Sequence, residues 1–401
     1  MNLLSAIKVT EVNDRFRFLQ RSVKKVSTLK KVLIVGGGIG GLSTAIALRN
    51  AGIEQVDIVE INPEPKVYHV GIVVQANFIR AMAALGIADE AVKAGFPYNG
   101  LRICNIDGDV KTELSGAKLA GEQYPSNLGL TRPALHEVLL NGVKKTGAHL
   151  KLGMTFTTIN QSEQGVTVTF TDGTQQTYDL VVAADGVYSK VRQVVFGEQF
   201  KPKFTGQGVW RYNLPRPKDL MYSHMFEGKS GGKVGYTPLT ENSLYILAVW
   251  KEPGNPFFDP DTLAEEFQKR LEGFGGLIPQ LKEQITDPTQ VVYRPLEAIL
   301  MPSPWYRGRV LLIGDAAHAT TPHMGQGAAQ AVEDAVVLGE LAGKDLPLQD
   351  MLDQFMARRY NRCKFINEGS IQIGEWEQYP TPGANFSGLM AKMIEVTAQP
   401  I

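Results

Sequence analysis

Val32-Leu33-Ile34-Val35-Gly36-Gly37-Gly38-Ile39-Gly40-Gly41-Leu42 decides the fold. Four apolar, mostly β-branched residues read as a buried parallel strand. A glycine turn follows at once, and Leu42 to Asn50 then reads as a helix ending at Gly52. Gly36, Gly38 and Gly41 fill the three glycine positions of G-x-G-x-x-G. The first permits a tight turn, the second lets backbone touch a pyrophosphate, and the third lets helix and strand pack closely. The helix N-terminus adds free N–H groups and roughly half a positive charge. A second strand, Val56-Asp57-Ile58-Val59, ends in Glu60, 24 residues after Gly36. That is near the spacing at which an acidic residue meets the ribose hydroxyls. Strand, turn, helix and strand in this order point to dinucleotide binding.

A chain of 401 residues has room for two to three domains, and 43% apolar residues supply a large core. Lys plus Arg and Asp plus Glu both total 41, so nothing in the charge argues for nucleic acid or an anionic membrane. Cys104 and Cys363 form no metal-like pair and suit a reduced cytoplasmic compartment, with one disulfide left open. No apolar run reaches membrane-spanning length. Residues 1–30 carry Lys8, Arg15, Arg17, Arg21, Lys24, Lys25 and Lys30 against Glu11 and Asp14. This basic leader lacks an apolar h-region and reads as an upstream extension or short surface helix rather than a targeting segment.

Along the chain, Val67 to Asn77 suggests a strand or loop crossing a cleft, and residues 78–94 a helix interrupted near Gly86. Leu101 to Ile106 and Val110 to Leu114 flank the turn Asp107-Gly108-Asp109 as a hairpin. Thr131 caps a helix with Pro133 in its first turn, preceded by Arg132. His136 and His149 read as structural. Val166 to Phe170 opens a second hairpin, and Tyr178 to Ala184 is another buried strand, ending in Asp185-Gly186. From 198 to 302 prolines and aromatics rise and short alternating runs suggest a separate, mainly antiparallel sheet interrupted by one helix, Pro260 to Leu271. Arg309 to Asp315 returns to α/β as a third strand, Ala316 to Gly327 reads as a loop, and Ala328 to Leu341 as a helix. Residues 348–375 and 388–396 are read as helical.

Three stretches together carry a resemblance: the glycine turn, Tyr178 to Arg192 with Asp185-Gly186, and Ile313-Gly314-Asp315-Ala316-Ala317-His318. Over about residues 31–375 the chain resembles the single-component FAD-dependent aromatic hydroxylases, of the p-hydroxybenzoate and salicylate hydroxylase type. The resemblance implies an α/β fold: a Rossmann-like FAD-binding domain with an inserted, mainly antiparallel β-sheet substrate domain and C-terminal helices. The expected division is a basic extension at 1–30 and an FAD-binding domain at 31–197 and 303–345. A substrate sheet follows at 198–302, joined by 98–124 in one reading, and a helical segment at 346–401.

Carried over position by position, Gly36, Gly38, Gly40 and Gly41 would cradle the pyrophosphate of a tightly but non-covalently bound FAD, and Glu60 would bind the ribose. Arg132 would reach the flavin side, Asp185-Gly186 would touch FAD and the reductant, and Asp315 would hold the ribityl chain. Pro322 and the Gly325, Gly327, Ala328 turn would face the flavin ring, where N–H donors suit the negative charge of reduced flavin. His318 reads as a packed loop residue. No second GxGxxG exists, as expected where NAD(P)H is a transient reductant. The implied reaction uses NAD(P)H and O2 to hydroxylate a small aromatic or heteroaromatic ring through a flavin C4a-hydroperoxide, in a monomer or homodimer.

Candidate pocket residues are Trp210, Tyr212, Tyr222, Phe226, Tyr236 and Trp250. Alternation puts Trp210 and Tyr212 on one face and Arg211 on the other, where Arg211 holds a substrate carboxylate or is a surface charge. Some relatives place a histidine within the segment matching Gly71 to Asn77; this chain has Val73 and Val74 there. His69, His224 and His323 are the remaining candidate bases, and no metal ligands are expected. A halogenase would need a W-x-W-x-I-P signature, which Trp210-Arg211-Tyr212-Asn213-Leu214-Pro215 does not match. A flavin-dependent reductase, epoxidase or halogenase on the same fold stays the alternative, whereas a flavin-binding module without catalysis should have lost one of the three motifs, and all three are intact.

Overall fold

The computed structural model describes residues 29–64, 69–228, 232–379 and 381–401. The basic leader, Leu29 and Lys30 apart, lies outside them. The strand Lys31–Val35 is the centre of a six-stranded sheet, in the order 306–307, 310–312, 180–183, 31–35, 55–60, 149–152. All neighbours are parallel except the hairpin at 306–312, and Ile34 stands between Val182 and Ile58. Four of its five residues are buried, as strands covered on both faces must be. The helix Ile39–Asn50 covers it, and Gly327–Ala342 crosses that helix closely. At the crossing, a Cβ on Gly339 would come within 2.8 Å of the Ala47 Cβ, so only small residues fit.

The second large sheet has seven strands in the order 292–298, 203–215, 243–251, 233–238, 223–227, 101–104, 110–114. Its pairs are antiparallel except Ser223–Glu227 with Leu101–Cys104. The sequence run 101–114 therefore forms two of its strands. A small sheet, 71–75, 127–131 and 96–97, packs beneath it; a Cβ on Gly129 would lie 1.9 Å from the Pro238 carbonyl oxygen. A further sheet, 156–161, 166–170 and 175–178, holds the second hairpin.

Several readings change. Val292–Ala298 is a strand although it contains Pro295; it is the sheet's edge, where a missing N–H costs least. Phe156–Gln161, half exposed and without clean alternation, was likewise not expected as a strand. The expected 316–327 loop contains a helical turn, Asp315–His318, and a 3-10 turn, Pro322–Met324. The helix Leu348–Gln378 runs 31 residues, and Phe386–Ala398 follows it. Arg362 holds the Val396 and Thr397 carbonyls, and Arg80 those of Thr397 and Ala398, at 2.6–3.0 Å. Among the described residues no helix is long and apolar enough to cross a membrane.

Candidate active site

A cavity of about 870 Å³ opens where four parallel strands end, reached by Gly38, Glu60, Gly186 and Asp315, and runs on to the inner face of the seven-stranded sheet. Ligands of open α/β sheets bind at this edge. The three glycines divide their work. Gly36 has φ +111°, and a Cβ there would sit 2.3 Å from the Ala184 carbonyl oxygen. A Cβ on Gly41 would sit 1.9 Å from the Gly36 carbonyl oxygen. Both are buried positions that do not line the cavity: the tight turn at Gly36 and the close packing at Gly41 are as read from the spacing, and the direct contact implied by the resemblance is what changes. Gly38 and Gly40 do line it, and a Cβ on Gly38 would meet nothing within 4 Å. That empty margin at a helix N-terminus is what a diphosphate requires.

Glu60 faces the cavity with its carboxylate already fixed, accepting from the Gly37 N–H at 2.8 Å and from Asn62 at 2.9 and 2.6 Å. His136, also on the wall, donates from Nε2 to the Gly37 carbonyl at 3.0 Å. Asp185 departs from expectation. Its carboxylate turns into the following helix, accepting from Ser189 Oγ and from the Lys190 and Val191 N–H groups at 2.5–3.0 Å, and only Gly186 reaches the cavity. Arg192 pins that turn through the Val187, Phe200 and Ala316 carbonyls. Asp315 is exposed, but only to the cavity deep inside the molecule; burial pushes its carboxyl up, against His318 and Arg132. Arg132, Pro322, Gly325, Gly327 and Ala328 share the wall, and the buried Thr320 hydroxyl there has no hydrogen-bond partner among the described residues. Open glycine, fixed acid, unspent hydroxyl and helix N-termini together fit an FAD.

Behind that wall lies an ionic network. Asp334 accepts from Arg359 at 2.7 Å, from the Gly314 N–H at 2.9 Å and from His318 at 2.7 Å. Burial works against a charge on His318, yet Cys363 and Asp334 carry its imidazole well above its ordinary range. Glu333 accepts from Arg359, Arg362 and Asn77, and Asn77 exchanges hydrogen bonds with Gln326. His318, Asp334 and Cys363 each offer a donor atom within 4.8 Å of the others, but both oxygens of Asp334 are already engaged.

The far wall belongs to the seven-stranded sheet, and its pleat corrects the expected pocket. Trp210, Tyr212, Phe226 and Tyr236 face away, forming a core with Phe267 and Leu271 of the helical insert. Trp250 packs against that core, and Tyr222 lies under the Arg102 guanidinium at 3.7 Å. None lines the cavity. The opposite face presents Val209, Arg211, Leu247, Val249 and Thr237, with Tyr245 and Tyr98 beside them. Period-two alternation was visible, but it names no side as inward, and the aromatic side packs on helices instead. Arg211 faces Leu247 and Val292 across the strands and has no hydrogen-bond or ion-pair partner among the described residues. Burial and then Arg132 pull its guanidinium down to about 10, with Tyr245 acting the other way.

His69 is exposed and His224 stacks on Tyr236 with centroids 4.8 Å apart; neither lines the cavity. His323 does, with Thr321 and Lys233. Its Nδ1 lies 2.8 Å from Thr321 Oγ1 and its Nε2 3.1 Å from Glu377, whose other oxygen accepts from Lys233 at 2.6 Å. Glu377, Tyr98 and Tyr245 were not singled out in the sequence; Glu377 stands far along a polar helix with no local signal.

The family described as FAD binding domain matches residues 30–364. The 2-heptyl-3-hydroxy-4(1H)-quinolone synthase of Pseudomonas aeruginosa is 32% identical over 88% of this chain and 90% of its own length. The aurachin C monooxygenase/isomerase of Stigmatella aurantiaca is 33% identical over 86% and 90%. Among solved structures, Klebsiella pneumoniae HpxO complexed with FAD and uric acid superposes with a TM-score of 0.80, at 27% identity, over 94% of this chain and 95% of that one.

Proposed function

We propose, from the premise that this chain belongs to the FAD binding domain family of FAD-dependent monooxygenases, that it hydroxylates a small, electron-rich aromatic or heteroaromatic ring at the expense of NAD(P)H. The carrying observation is a single cavity that joins the cofactor turn at Gly38 to the sheet wall at Arg211 and Tyr245. A ring held there would share the cavity with Pro322 and the turn from Gly325 to Ala328, the residues that would hold the flavin. Bound FAD supplies the chemistry, passing electrons from the nicotinamide to dioxygen and delivering one oxygen atom to the ring.

The chain's residues do the rest. Gly38 and Gly40 leave room for the diphosphate, Glu60 takes the ribose, and Asp315 takes the ribityl hydroxyls. The turn from Gly325 to Ala328 sets N–H donors against the flavin. Val209, Leu247 and Val249 exclude water from the ring. Arg211, a half-buried cation on the cavity wall without a hydrogen-bond or ion-pair partner among the described residues, holds an anionic oxygen of the substrate. The relatives' quinolone and urate rings, planar and oxygen-bearing, suit the same wall. The cofactor-loaded protein works in a reducing cytoplasm, consistent with the free, buried Cys104 and Cys363.

The test is oxidation of NADH and NADPH by the yellow protein, with a panel of aromatic acids, phenols, anilines, quinolones and purines. Stimulated oxidation with a product one oxygen heavier is expected. Nicotinamide oxidation unaffected by every compound, without an oxygenated product, overturns the reading in favour of a reductase.

A further inference from the structure

Thr321, His323 and Glu377 stand in a line that begins on the cavity wall. A carboxylate can only accept, so the 3.1 Å contact to Glu377 puts the imidazole hydrogen on Nε2. Nδ1 is then bare and accepts from the Thr321 hydroxyl at 2.8 Å. The Thr321 oxygen keeps its lone pairs, with no second partner among the described residues. Among the described residues, two charged groups face His323. Glu377 comes from the helix Leu348–Gln378 and Lys233 from the strand Lys233–Pro238. Gln207, neutral, donates to Glu377 at 3.2 Å from the strand Lys203–Pro215. Gly374 leaves the ring its space; a Cβ there would lie 3.0 Å from the His323 Cε1 atom.

Resting on the hydroxylase reading above, we infer that Thr321, His323 and Glu377 form a proton relay that ionises an acidic ring O–H or N–H of the substrate while it is bound. The substrate's proton passes to Thr321 Oγ as the Thr321 proton passes to His323 Nδ1. One X–H bond and one O–H bond break, one O–H and one N–H bond form, and no electrons change hands. The imidazolium is held by Glu377, a positioning residue, and the proton leaves at the partly exposed Glu377 edge. The electron-rich anion left behind is the form an electrophilic oxygen attacks fastest. The charges suit the task. Burial and Lys233 keep His323 below its ordinary range against Glu377, so it is a neutral base near pH 7. Burial alone would raise Glu377, but Lys233 and His323 hold it at about 2.

The test uses FAD-loaded protein, 4-nitrophenol as probe and 4-nitroanisole as its non-ionisable analogue, below the pH at which free 4-nitrophenol ionises. Wild type is expected to show a phenolate band on binding; T321V and H323Q lose it at least ~10-fold while binding 4-nitroanisole as wild type does. In pH profiles of product formation, the acid limb moves to higher pH in K233Q and to lower pH in E377Q, because Lys233 lowers and Glu377 raises the His323 value. A phenolate band that persists in T321V and H323Q, or wild type that binds no phenolate, overturns the relay. Oxygenated product with no phenolate band sinks the relay alone; absence of oxygenated product from every compound of the panel above sinks the reading beneath it.

Discussion

Replacing Arg211 by Met should make the protein more stable and less able to hold an acid. Burial, and then Arg132, draw the guanidinium from its ordinary range down to about 10 inside the fold. At about 1.4 kcal/mol for each tenfold change in protonation, its charged form costs roughly 3 kcal/mol there. Because the folded value lies below the free one, that cost is present at every pH below about 10 and fades only above it. The stability gain in R211M should therefore be flat across the neutral range. Met keeps the stem that packs beside Leu247 and drops the charge, so most of the cost is relieved. For a chain of this length the gain corresponds to a rise in Tm of roughly 3 °C. On the binding side, an aromatic carboxylate loses a charge-assisted pair, about 2–3 kcal/mol or about 100-fold in Kd. The assay is thermal unfolding with and without FAD, together with flavin absorbance titrations of 2-aminobenzoate and its amide. R211M should discriminate against the acid and hardly against the amide. A lower Tm with unchanged acid binding would refute the reasoning, because Arg211 would then be a strut and not an unsatisfied anchor.

G38A and G41A should separate cofactor contact from packing. G38A, with open space around its Cβ, should fold with near-wild-type far-UV circular dichroism yet retain less than a tenth of the flavin, whereas G41A, 1.9 Å from a carbonyl oxygen, should not accumulate as folded protein. D315A should lose FAD on gel filtration, and full flavin occupancy would remove Asp315 from the ribityl site. R359M strips a cation from Glu333 and Asp334, both buried, and should cost about 3–5 kcal/mol. Their carboxyls resist burial because Arg359, with Arg362 and His318, holds them below the ordinary range. The stability they contribute is present above the ordinary carboxylate range and is lost as pH falls through their folded values, so R359M should unfold at a higher pH than wild type in acid titrations followed by circular dichroism.

The cofactor half of the site was legible because it is local. Gly38, Glu60 and Asp315 sit at strand ends, where chain order dictates position, and the glycine spacing carries its own sterics. Even there, Asp185 was legible as a motif member and not as a capping group, since a motif records which residues recur and not which atom each one touches. The substrate half was less legible. Alternation separated Arg211 from Trp210 and Tyr212, but which face turns inward depends on the helix Leu263–Arg270 packing across the sheet. Glu377 meets His323 from 54 residues away, a juxtaposition set by the whole length of a helix.

The clasp of Arg80 and Arg362 on the carbonyls of 396–398 has a consequence for synthesis. Thr397 and Ala398 are part of the cavity wall, so the first wall, at Gly38, leaves the ribosome about 360 residues before the last. At roughly 5–20 residues per second, that interval is about 20–70 s. Throughout it the Gly38 turn faces a half-built container. Closure of the whole cavity must therefore wait until the helix Phe386–Ala398 has docked.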